Sequence, residues 1–95
     1  MITITGPLKI WTGSEGSSHF ISVPDEVSGE IRLHALSSPR GFGSVRVEVT
    51  MDQITWRTSV FPVKSGGYFL PVKIEVVRRA DIAAGDEVTA RLELL

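Results

Sequence analysis

The sequence predicts a single mainly-β domain: a small barrel of six to seven strands with two short helices, assembled from two related halves. Three observations carry this. Apolar residues recur at every second position in several long runs, the period of a half-buried strand. Proline and glycine-rich turns divide those runs at intervals too short for long helices. A strand running into proline and then a short helical segment occurs twice, at Pro24 and at Pro71.

Ninety-five residues without cysteine make one core, spanning 1–95, and leave disulfides and thiolate metal sites out. In the first run Ile2, Ile4, Leu8 and Ile10 alternate with Thr3, Thr5, Lys9 and Trp11, interrupted only at Gly6-Pro7, a bulge or an edge. The polar stretch Thr12 to Ser18 reads as a flexible hairpin loop, and His19 to Val23 as the return strand. On that strand Phe20 and Ser22 share one face, Ile21 and Val23 the other. Pro24 ends it and suits the start of a helix, with Asp25 and Glu26 in the first turn, where the helix dipole favours carboxylates. Val27, Ile31 and Ala35 form its apolar stripe, Gly29 weakens it, and Ser37-Ser38-Pro39 stops it.

After the turn Arg40 to Gly43 comes the cleanest strand, Ser44 to Met51, with Val45, Val47, Val49 and Met51 inward. Asp52-Gln53 connects it to Ile54 to Phe61, where Ile54, Trp56, Thr58 and Val60 share the core face. Asn-Gly or Asp-Gly suits such a turn better, so strain is expected at Gln53 or a longer loop. A hairpin of these strands brings Arg57 near Glu48 or Arg46, depending on register. Tyr68 to Leu70 is a short strand terminated by Pro71. Val72 to Ala80 fits either a strand or a helix, and Pro71 with the basic last turn Arg78-Arg79 favours the helix. Ala83 to Asp86 turns into a closing strand with Val88, Ala90, Leu92 and Leu94 inward.

FISVPDEVSGEIR (20–32) and GYFLPVKIEVVRR (67–79) align on their prolines, and each is followed by a glycine-bearing turn and a long alternating strand. Two such halves related by a pseudo-twofold can close a barrel in which each covers the other's edges. The pattern of LPVKIEVVRRADIAAGDEVTARLEL, from Leu70 to Leu94, resembles AbrB/MazE-type double-split β-barrels. Over nearly the full length the chain is similar to a bacterial family of small proteins, domain of unknown function nineteen-oh-five. The motifs are GFGSVRVEV (41–49), WRTSVFP (56–62) and GGYFLPVKIEVVRRADIAAGDEV (66–88). Asp52-Gln53 departs from the Gly-Gly common in that family at the turn. The resemblance implies a fold and no activity.

The net charge of −1 argues against a general nucleic-acid binder. Its distribution is uneven: residues 1–31 and 80–95 each carry −3, and residues 32–79 carry +5. Oppositely charged segments that pair across the surface are the ordinary reading of this, and a basic face is the other. No serine lies in a nucleophile-elbow pattern, so no catalytic residue is assigned. His19 and His34 read as a strand and a helix-surface residue, so no metal or cofactor is expected. The glycine turns at Gly41-Phe42-Gly43 and Ser65-Gly66-Gly67 lack the lysine and hydroxyl of a phosphate loop. What remains is a candidate ligand surface of Arg40, Arg46, Tyr68, Lys73 and Arg78. It suits a small anionic molecule or a protein partner. The alternative is a nucleic-acid-binding regulator of the AbrB type, which dimerises to complete its barrel. If one chain completes the barrel, a monomer is expected. The N-terminus has neither the basic region nor the apolar run of a signal peptide, and no apolar stretch approaches the ~20 residues that span a bilayer. A cytoplasmic protein is expected.

Overall fold

A computed structural model describes residues 1–14, 16–37 and 43–95. Among these residues seven strands, all paired antiparallel, curl into a half-barrel with two helices. The strands are β1 (Ile2–Pro7), β2 (Lys9–Gly13), β3 (Gly16–Val23), β4 (Val45–Met51), β5 (Ile54–Pro62), β6 (Tyr68–Val72) and β7 (Glu87–Leu94). Helix α1 (Asp25–Ser37) follows β3, and α2 (Ile74–Ala80) follows β6.

The strand order is β1-β7-β4-β5-β6-β3-β2. Strands β1 and β2 are therefore consecutive in the chain and yet lie at opposite ends of the ladder. The alternating N-terminal run is two strands rather than one, divided at Leu8. Leu8 donates its N–H to the Asp86 carbonyl and accepts from Gly85 N–H, both at 2.8 Å. Its side chain is 1% exposed. The turn that receives it is closed by Asp86, whose carboxylate Oδ2 accepts from Ala83 N–H at 2.9 Å. Strand β5 makes a comparable passage without a break. It pairs with β4 from Ile54 to Val60, then with β6 through Phe61 and Pro62.

Inward positions fall where the alternation places them except on β2, where Ile10, in phase with buried Ile2, Ile4 and Leu8, is 47% exposed. Val45, Val47, Val49 and Met51 are buried on β4, and Val88, Ala90 and Leu92 on β7. Ile21, Val23, Leu70 and Val72 join them from β3 and β6, and α1 contributes Ile31. Trp56 packs half-buried against this core. Its indole Nε1 is buried without a hydrogen-bond partner among the described residues.

Three expectations need correcting. Most of the polar stretch from Thr12 to Ser18 is ladder, with Trp11 opposite Ser18, Thr12 opposite Ser17 and Gly13 opposite Gly16. Extended hydroxyl residues pair as well as apolar ones, and Gly16, at φ +117°, takes the reversal. Pro71 does not terminate β6, which continues to Val72, so α2 begins after Lys73. Beyond Phe69, β3 is the only strand paired with β6 among the described residues. A proline without an N–H is tolerated on such an edge. Strain in the β4–β5 turn falls on Asp52, at φ 57°, rather than on Gln53. Asp52→Val is expected to destabilise the fold by about 1–2 kcal/mol, because a β-branched residue resists the left-handed region. Asp52→Asn should leave stability nearly unchanged; chemical denaturation of both variants checks this.

Among the described residues no helix is long and apolar enough to cross a membrane.

Candidate functional site

On one sheet face, positions that a half-buried strand normally gives to polar residues hold aromatic rings. On β3 the inward residues are Ile21 and Val23, so Phe20 and Ser22 project from the opposite, outer face. The register places Phe20 beside Lys9 of β2 and Pro71 of β6, Ser22 beside Phe69, and Phe69 beside Phe61 of β5. Trp11, two residues after Lys9, is 60% exposed on the same outer row. The rings touch: Phe61 and Phe69 stack with centroids 5.6 Å apart, and Phe20 meets Phe69 edge-to-face at 5.9 Å. Such pairs contribute roughly 0.5–1.5 kcal/mol beyond the area they bury.

A cleft of about 670 Å³ opens over this floor. Trp11, Phe20, Tyr68, Phe69 and Pro71 line it, with Ser18, His19, Ser22, Asp25 and the turn Ser65-Gly66-Gly67. Small-molecule sites commonly occupy roughly 300–1,000 Å³, with apolar walls and few polar groups. Two glycines shape the rim. The Trp11 indole lies over Gly13, where a methyl group would collide with the ring. Gly67 has φ +83°, and a methyl there would lie 3.8 Å from Asp25 Oδ1. Asp25 stands in the first turn of α1, beside buried Ser28, whose hydroxyl donates to the Pro24 carbonyl at 3.1 Å. Lys9 is at the edge, donating from Nζ to Ser22 Oγ at 3.0 Å.

The residues singled out from the sequence do not share this place. Tyr68 lines the cleft and is 5% exposed. Lys73, extended at the N-terminal end of α2, lines a smaller groove of about 290 Å³ with His19, Thr58 and Ile74. Arg78 is exposed in the last turn of α2. Arg46 stands on β4 opposite Ser59, and its carbonyl accepts Leu95 N–H at 2.9 Å. Arg40 lies outside the described residues. Register brings Arg57 to Glu48, with Nε donating to Oε2 at 3.1 Å. His34 is not a free surface group, since its Nε2–H donates to the Leu95 carbonyl at 2.9 Å. Among the described residues no three of His, Asp or Glu gather as metal ligands.

The sequence reading missed Trp11, Phe20, Phe61 and Phe69. A signal was present: each occupies the outward phase of its strand, where an aromatic ring gains nothing from the core.

Residues 5–92 match the family described as Domain of unknown function (DUF1905), and the protein belongs to that family. No curated protein matches the chain.

Proposed function

We propose that this protein is a small binding module whose ligand seats in the aromatic cleft on the outer face of β2, β3 and β6. The observation that carries the reading is the row of rings out of phase with the core. Outward-facing aromatics contribute less to the fold than core ones, so their clustering around one concavity of ligand size points to recognition. The cleft holds Tyr68 from the surface expected earlier. An anion site on Lys73 and Arg78 remains the competing location.

The test is a fragment titration of the full chain followed by amide NMR. Small aromatic compounds should shift the Trp11 indole and the Phe20, Gly66, Gly67 and Phe69 amides. Shifts centred instead on Lys73 and Arg78 would move the site to α2 and overturn the reading.

We further propose that the fold is a double-split barrel made of two pseudo-repeats within one chain, and that the protein is a monomer. The ladders support this. Exchanging Ile21 with Tyr68, Ser22 with Phe69 and Val23 with Leu70 maps the β3–β6 pairing onto itself. Exchanging Glu48 with Arg91, Val49 with Leu92 and Thr50 with Glu93 does the same for β4–β7, where Val49 faces Leu92. The same operation takes the β1–β7 ladder to β5–β4, and β2–β3 to β5–β6. The nucleic-acid regulator is disfavoured, because the net charge is −1 and Arg57 is engaged by Glu48.

A further inference from the structure

The charge around the cleft selects among ligands. Asp25 is the only aspartate, glutamate, lysine or arginine among the described residues that line it. Its carboxylate makes no ion pair or side-chain hydrogen bond among the described residues. The neighbouring Ser28 hydroxyl is directed to the Pro24 carbonyl. Gly67 carries no side chain between Oδ1 and the cleft. A free carboxylate therefore borders a space walled by Trp11, Phe20, Tyr68 and Phe69. Aromatic walls with one acid are the arrangement that attracts an organic cation, through ring quadrupoles and a counter-charge together.

Resting on the reading of the cleft as a ligand site, we infer that it takes a small organic cation. The ligand class is an ammonium or quaternary ammonium group on a compact apolar body, held by the rings of Trp11, Phe20 and Phe69 with Asp25 as counter-ion. Lys9 stands at the edge with its ammonium on Ser22, and it opposes such a ligand. That opposition gives the proposal a sign that can be measured. Removing Lys9 should tighten a cation and loosen an anion; neutralising Asp25 should do the reverse.

The full chain is titrated at pH 8 and at low ionic strength. The three probes are benzyltrimethylammonium, benzyl alcohol and benzenesulfonate, and binding is read from the Trp11 indole and the Gly66 and Gly67 amides. Benzyltrimethylammonium is expected to bind about tenfold tighter than benzyl alcohol. Asp25→Asn should remove most of that advantage, leaving the attraction of the rings, and Lys9→Gln should tighten the cation about two- to threefold. The unshifted remainder of each variant's amide spectrum establishes that it is folded. Equal affinity for the cation and the alcohol, or preference for the sulfonate, overturns the charge assignment while the cleft stands as a site. Absence of shifts with all three probes overturns the cleft reading itself.

Discussion

Replacing Leu8 with alanine is expected to lower the stability of the fold by about 2–5 kcal/mol, the range for truncating a fully buried leucine. For a domain of this size that is a fall in melting temperature of roughly 10–25 °C. The position matters because of what meets there. Leu8 divides β1 from β2, so it sits where the two ends of the ladder are joined through the chain. Its backbone is held at both N–H and carbonyl by the turn before β7. Alanine keeps those two hydrogen bonds and removes only the side chain. The loss therefore reports the cavity, not the turn. Gly85→Ala is the complementary change: it leaves the side chain in place and strains a residue at φ +97°. It is expected to cost about 1–2 kcal/mol. Equilibrium denaturation separates the two. A Leu8→Ala loss below about 1 kcal/mol, far under the usual core value, would mean that the join is not part of the packed core.

Strand identity was legible wherever one face is buried. Val45, Val47, Val49 and Met51 could alternate only as a strand, and Val88, Ala90 and Leu92 likewise. The Glu48–Arg57 contact was one of two options, decided by a two-residue turn that pairs Met51 with Ile54. Partners across long separations were not legible. Nothing in His19 to Val23 says that it will pair with Tyr68 to Val72, because period two sets a face and not a neighbour. The ends of elements were misread where residue type and context disagreed: Pro71 stays in its strand because it has an edge to occupy, and Thr12 to Ser18 pairs despite its polarity. The site was sought through basic residues because charge is easy to count. Lys73, Arg46 and Arg78 are set apart by the fold, while Trp11, Phe20 and Phe69 converge from three strands distant in sequence or separated by a hairpin.

Phe69 is where that convergence can be tested most severely. It stacks on Phe61, meets Phe20 edge-to-face and lines the cleft. Phe69→Ala is expected to cost about 2–3 kcal/mol, less than a fully buried phenylalanine because the ring is half-exposed. It should also weaken benzyltrimethylammonium on the order of tenfold. A loss of both could come from a loosened sheet alone, since β6 holds β3 and β5 together at this residue. Phe69→Leu removes that ambiguity. Leucine keeps most of the apolar volume and should cost under about 1.5 kcal/mol, as volume-conserving swaps do. It has no ring, so binding should still fall close to the alanine level. Denaturation gives the first quantity and titration of the Trp11 indole the second. If Phe69→Leu binds the cation as tightly as the unaltered protein, the rings serve the sheet and not a ligand. If stability is nearly retained while affinity is lost, the aromatic character of this outward row exists for what it holds.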